Sequence, residues 1–151
     1  MSILEKINAS TVCTPLKSTE KQAVVRELVM ILKEAGLVRN LDAACLAVNN
    51  REQLGSTGLG DEIAIPHAKT DTVDSVAIAV GITPSGINFD SLDGKPVKIF
   101  FLILANPEHA SAHIEALSEI AKLTRNKSFC QSLIAAKNNA ELVKLFSVEK
   151  D

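Results

Sequence analysis

The chain of 151 residues is 46% hydrophobic and 23% charged, the balance of one globular domain spanning residues 1–151, with no second unit to house a separate activity. Sixteen Lys and Arg against eighteen Asp and Glu leave a formal charge of -2; with no basic run and no Trp or Tyr for base stacking, a nucleic-acid partner is disfavoured. Cys13, Cys45 and Cys130 are odd in number and far apart, so neither a disulfide framework nor a thiolate zinc site is expected, and a reducing cytoplasm is the expected location.

The start of the chain, Met1 to Lys6, carries acidic charge and lacks the apolar core of a signal peptide. No stretch approaches the roughly eighteen apolar residues of a membrane span, so a soluble, unprocessed protein without membrane insertion is expected. Apolar residues at helical spacing from Thr19 to Leu32 predict an amphipathic helix capped by Ser18 or Thr19 and stopped at Gly36. Asn40 stands where it can cap a second helix, which runs through Leu41 to Val48 toward Arg51 and ends before Gly55.

The period then changes. Ile63 to Ile65, Val76 to Val80 and Val97 to Leu104 are short apolar runs bounded by Gly, Pro, Asp and Ser, and they read as strands. The last is nearly continuous, so both of its faces are expected to be covered, with helices on two sides of the sheet. Pro84-Ser85-Gly86 and Asp93-Gly94-Lys95-Pro96 read as turns. From His109 helical spacing returns, with Ile114, Leu117, Ala121 and Thr124 on one stripe. A shorter helix around Phe129 to Ala136 and a last one from Ala140 to Phe146 follow, with Asn126 and Asn139 as candidate caps. The expected fold class is α+β: a mixed sheet sandwiched between helices in three α/β/α layers.

The densest chemical signal runs from Arg51 to His67. Gly55, Gly58 and Gly60, close to Ser56 and Thr57, make a backbone that can turn tightly and point amides into a concavity. The spacing is neither the Walker pattern nor the dinucleotide fingerprint, and a plain turn between helix and strand is the competing reading. His67 follows Pro66 at the end of an apolar run, where a sheet edge commonly presents a reactive side chain. Alone, His67 reads equally as a structural loop histidine and Arg51 as a solvated helix-end charge. Together, an arginine and a histidine supply a planar fork for phosphate oxygens beside a nucleophile.

His113 has Leu117 and Ile120 as stripe neighbours and is expected to face inward or to sit at the sheet boundary, where a core histidine is the competing reading. His109 and His113 are four residues apart, as in a two-histidine metal face. No Glu lies between them and no third ligand is apparent, so no metal site is expected and His109 is assigned to the surface.

The stretch from Arg51 to Lys69, ending Gly-Asp-Glu-Ile-Ala-Ile-Pro-His-Ala-Lys, together with Phe89 to Val97 and His113-Ile114-Glu115-Ala116-Leu117, resembles the enzyme IIA domain of the bacterial phosphoenolpyruvate-dependent sugar phosphotransferase system. It is most similar to the fructose type of the fructose, mannitol and nitrogen-regulatory group, over essentially the whole chain. The resemblance matches the phosphorylated histidine to His67, the motif arginine to Arg51 and the second active-site histidine to His113. Ile114 replaces the usual Leu, and Glu62 stands where family loops often carry a second glycine, which stiffens the loop and adds a carboxylate.

The resemblance further implies that Nε2 of His67 attacks the phosphorus in line while Nδ1-H is held by an acceptor. Phosphoryl transfer asks chiefly for positioning and charge stabilisation, so neither metal nor cofactor is expected; Arg51, His113 and the amides around Ser56, Thr57 and Gly58 are the expected phosphoryl-binding groups. The implied route runs from the phosphocarrier HPr to His67 and on to a cysteine of a sugar-specific IIB component, with IIB and membrane IIC on separate chains. Asp61, Glu62, Asp71 and Asp74 read either as a steering patch for a basic donor or as ordinary solvated charges. Three other outputs compete: a nitrogen-regulatory phosphocarrier acting through protein interaction, a non-catalytic binding domain, and a metal hydrolase built on His109 and His113.

Overall fold

The structure, a computed structural model, describes residues 3–149. After a short 3-10 turn at Ile3–Lys6 come β1 (Val12–Cys13), α1 (Lys21–Glu34) and α2 (Leu41–Gln53). Next are β2 (Gly58–Gly60), β3 (Ile63–Ala64), β4 (His67–Lys69), β5 (Val76–Ile87) and β6 (Val97–Ala105), then α3 (Ala110–Thr124), α4 (Lys127–Ala135) and α5 (Asn139–Glu149).

The sheet runs β1-β5-β6-β3-β2, with β4 also paired to β6. Its centre is the antiparallel pair β5 and β6, in register at Val80 and Phe101. On the far edge of β6, β3 and then β4 lie end to end, both parallel to it, matching Ile63 to Ile99 and His67 to Ile103. Every β6 residue except Lys98 is buried, as the unbroken apolar run predicts. Alternation sends Ile99, Phe101 and Ile103 into a core with Ile120, Leu133 and Phe146 of α3, α4 and α5. Phe100, Leu102 and Leu104 face Leu28, Leu32 and Val48 of α1 and α2. The result is the mixed, three-layer α/β/α sandwich expected from the order of elements.

Several local expectations need correction. Helix α1 begins after Glu20, not at Ser18 or Thr19, because the Ser18 hydroxyl donates to Glu27 at 2.6 Å and is not free to cap. Gly36, at φ +80, does end the helix, and Leu37 N–H reaches back to the Leu32 carbonyl at 3.0 Å. Asn40 and Asn126 cap α2 and α4 as expected. At α5 the capping bond to Glu141 N–H comes from Asn138, while the Asn139 side chain accepts from Thr14 N–H.

Pro84-Ser85-Gly86 is not a turn between strands. It lies inside β5, where the pairing slips between Ile82 and Ile87, an irregularity that tolerates a residue lacking an N–H. The buried stripe of α3 is His113, Ala116 and Ile120; Ile114 and Ala121 are exposed, one position round from the expected line. Among the described residues no helix is long and apolar enough to cross a membrane.

Candidate functional site

His67 belongs to a strand and not to a loop: it opens β4 on the edge of β6. The preceding Pro66 has no N–H to offer, yet its carbonyl accepts from Ile103 N–H at 3.0 Å and ties the segment to the core. The His67 ring is half-buried, with Nδ1 2.7 Å from the Ile65 carbonyl oxygen. A carbonyl can only accept, so Nδ1 carries the proton and the neutral ring keeps its lone pair on Nε2.

The His113 ring meets that of His67 edge to face, with centroids 5.5 Å apart and planes at 70°. His113 is 6% exposed, and its Nε2 has no hydrogen-bond partner among the described residues. Burial holds its pKa below the ordinary histidine value, and the neighbouring His67 and Lys69 push it the same way. A buried polar atom left unpaired costs about 1–3 kcal/mol. Such a cost calls for an explanation beyond packing. His109 is exposed at the start of α3, and no group of three His, Cys, Asp or Glu side chains among the described residues is arranged to hold a metal ion.

Arg51 stands in the last turn of α2, the helix packed against β4. Its Nη1 donates to the Gly55 carbonyl at 2.9 Å, and no carboxylate pairs with it among the described residues. The guanidinium therefore keeps most of its donors uncommitted. The segment it reaches is tied down differently from the open amide cradle expected. Thr57 N–H donates to Glu52 at 3.2 Å, Gly58 N–H to the Ser56 hydroxyl at 3.0 Å, and that hydroxyl to the Phe89 carbonyl at 2.7 Å. The Thr57 hydroxyl donates to the other oxygen of Glu52. The Thr57 and Gly58 amides are thus spent inside the protein. Gly58 is needed for a different reason, since a side chain there would come within 3.0 Å of Ser91 Cα.

The glycine-rich segment continues as a hairpin, β2 against β3, turned by Asp61 and Glu62 at φ 55 and 70. Left-handed backbone is unusual without glycine. Here each turn residue is anchored: Asp61 pairs with Lys127 and Glu62 with Lys98, both at 2.9 Å. Asp74 pairs with Arg39. Three of the four carboxylates proposed to steer a basic partner are therefore already matched by cations.

Two features escaped the sequence reading. Glu52 is a buried carboxylate beside Arg51, detectable as the inward continuation of the Ala44, Cys45, Val48 face of α2. Exposed apolar side chains also stand on the segments that carry the site residues: Leu54 (85% exposed) follows α2, Leu59 lies on β2, Leu92 (80%) donates its amide to the Gly58 carbonyl, and Ile114 follows His113.

Residues 5–148 match the family described as "Phosphoenolpyruvate-dependent sugar phosphotransferase system, EIIA 2". The chain belongs to this family of phosphotransferase-system IIA domains, a class that carries phosphoryl groups. It is similar, at 35% identity over 97% of its length, to the PTS system fructose-specific EIIABC component of Bacillus subtilis, spanning 23% of that longer protein. It is 34% identical over 78% of its length to the PTS system fructose-specific EIIA component of Haloferax volcanii, covering 77% of it. Among solved structures, the nitrogen regulatory protein IIA-Ntr of Neisseria meningitidis superposes with a TM-score of 0.85 at 30% identity, covering 95% of this chain and 98% of that one. The IIA mannitol enzyme of Escherichia coli, solved in complex with phosphorylated enzyme IIB, shares the fold at 22% identity and a TM-score of 0.80, over 95% of this chain and 98% of that one.

Proposed function

We propose that this protein accepts a phosphoryl group on Nε2 of His67 from phosphorylated HPr and passes it to the cysteine of a sugar-specific IIB component during fructose-type sugar uptake. The observation that carries the reading is the His67 tautomer: the 2.7 Å bond from Nδ1 to the Ile65 carbonyl leaves Nε2 as the nucleophile. In the accepting step the Nε2 lone pair forms the new N–P bond as the N–P bond of the donor phosphohistidine breaks. That electron pair returns to the donor imidazole, and no metal is needed for the balance.

The three phosphoryl oxygens need donors, and Arg51 and His113 are the groups suited to supply them. His113 Nε2, buried and unpartnered 5.5 Å ring to ring from His67, gains a partner when an oxyanion arrives. The anion also opposes the burial that holds His113 neutral, so phosphorylation favours its protonated, donating form. Thr57 and Gly58, whose amides are taken up inside the protein, shape the wall behind these groups, while the Ser56 amide, without a partner among the described residues, is left to donate. Leu54, Leu59, Leu92 and Ile114 supply the exposed apolar contact that a docking carrier covers.

The fructose assignment rests on the resemblance to fructose-specific relatives. A second reading, a nitrogen-regulatory phosphocarrier whose output is binding other proteins, is favoured by the superposition on IIA-Ntr. Incubation with phosphoenolpyruvate, enzyme I, HPr and a panel of IIB domains tests both. Phosphate on His67 that moves to a fructose IIB supports transport, phosphate on His67 that moves to none supports the regulatory reading, and no phosphate on His67 sinks both.

A further inference from the structure

We propose that Glu52, held by Lys21, is a positioning residue for phosphoryl transfer at His67, an inference that rests on the phosphocarrier reading above. Glu52 is 8% exposed and directly follows Arg51 in α2. Its Oε1 lies 3.1 Å from Lys21 Nζ and accepts Thr57 N–H at 3.2 Å, while Oε2 accepts the Thr57 hydroxyl. Both oxygens are engaged, so the carboxylate is not poised as a proton acceptor. Whatever it does for the chemistry passes through Thr57.

Thr57 lies two residues beyond Gly55, whose carbonyl receives the Arg51 guanidinium at 2.9 Å. Fixing the amide and the hydroxyl of Thr57 on one carboxylate therefore fixes the carbonyl that sets the direction of Arg51. Lys21 completes the clamp from α1. It also lies 3.5 Å from the Asp90 carboxylate and 4.6 Å from the centroid of the Phe89 ring. The backbone carbonyl of Phe89 accepts from Ser56 and the amide of Leu92 donates to Gly58, so the start of α1, the end of α2 and the 89–92 loop converge on residues 55–58.

Stability alone gives little reason for a charge at Glu52, because a carboxylate this buried loses its hydration and the partly exposed Lys21 offsets that loss only in part. A two-oxygen acceptor does what an apolar side chain cannot: it sets both donors of one residue in a single orientation. Lys21 also neutralises the carboxylate, so that Glu52 does not oppose an incoming phosphoryl group.

The test is a double-mutant cycle of Glu52→Gln and Arg51→Ala, read by rapid-mixing transfer from phosphorylated HPr and by thermal unfolding of the same preparations. In the wild-type background Glu52→Gln should slow transfer about 10- to 100-fold, the scale of a misplaced reacting geometry, with His67 still the labelled residue. In the Arg51→Ala background the same substitution should change the rate by less than about twofold, because its effect is already lost. Equal slowing in both backgrounds, or a lowered melting temperature with an unchanged rate, would overturn the inference and leave Glu52 a structural residue.

If Glu52→Gln does not fold, the pair Lys21→Met with Glu52→Gln, which removes both charges together, is put through the same cycle with the same outcomes. Failure of the wild-type protein to take up label at His67 would instead overturn the phosphocarrier reading, and this inference with it.

Discussion

The rings of His67 and His113 meet edge to face at 5.5 Å, one with a protonated Nδ1 tied to the Ile65 carbonyl and the other with a buried, unpartnered Nε2. Neither ring owes its position to the other. The first hangs from the edge of β6 and the second from the inward stripe of α3, so each can be changed without removing the element that carries its neighbour.

For that reason His67→Ala should fold normally and accept no phosphate from phosphorylated HPr. The pairing of β4 with β6 is made by backbone and survives truncation of a half-buried side chain. Undiminished labelling of the variant would remove His67 from the chemistry. In the wild-type protein the label should be acid-labile and base-stable, as a phosphoramidate is; a label that survives acid points to Ser56 or Thr57 instead.

Arg51→Ala should slow transfer by roughly 10²- to 10³-fold, the usual worth of one oxyanion donor. Lysine at this position should recover only part of the rate, since it replaces a planar fork with a point charge. Rapid-mixing transfer assays decide the matter: a wild-type rate for Arg51→Ala would reduce Arg51 to the Gly55 contact alone.

His113 links the site to pH. Its folded pKa lies below the ordinary value of 6.5 because burial, then His67 and Lys69, disfavour the cation. The unfolded chain therefore takes up this proton first as pH falls, and the stability tied to it, fully present above the ordinary value of 6.5, should be lost as the pH drops below that value. His113→Gln should flatten that decline in thermal unfolding, and in transfer assays it should accept phosphate poorly and pass it on slowly. A strong loss of melting temperature at pH 8 with normal transfer would make His113 a packing residue. Glu27 and Asp93, whose carboxyls are held below their usual range, contribute their own losses in more acidic solution.

Glu62 offers a stability test independent of the chemistry. It sits at φ 70 and pairs with Lys98 at 2.9 Å. Alanine there loses the pair and keeps the backbone strain, whereas glycine loses the pair and relieves the strain. Glu62→Gly should therefore be more stable than Glu62→Ala by about 1 kcal/mol in urea unfolding, after the entropy cost of glycine is subtracted. Equal stabilities would mean that the turn is not strained.

The long elements were legible because burial writes a pattern over many residues: β6 shows it in Val97–Ala105, and Asn40 and Asn126 mark real helix starts. β4 was not legible, since His67-Ala68-Lys69 has no strand signature and becomes a strand only because β6 lies beside it. The inward position of His113 was legible from its neighbours Leu117 and Ile120, whereas Ile114, placed on the buried stripe because it is apolar, faces solvent. His67, His113 and Arg51 could be named from residue type and motif. The ties that Phe89 and Leu92 make to Ser56 and Gly58 could not, because that loop reaches them from more than thirty residues away; the nearby Glu52 left a trace only in the inward face of α2.

The attachment of β4 limits how His67 can meet anything. Its backbone is pinned, through Ile103 and the Pro66 carbonyl, to a strand in which every residue but Lys98 is buried. The imidazole is a fixed post and not a swinging arm. On the phosphocarrier reading proposed above, a partner must therefore bring its own reactive atom to the post. Amide exchange offers a direct view of this rigidity: the Ile103 N–H that holds Pro66 should be among the slowest in the protein, opening only when the central sheet itself comes apart.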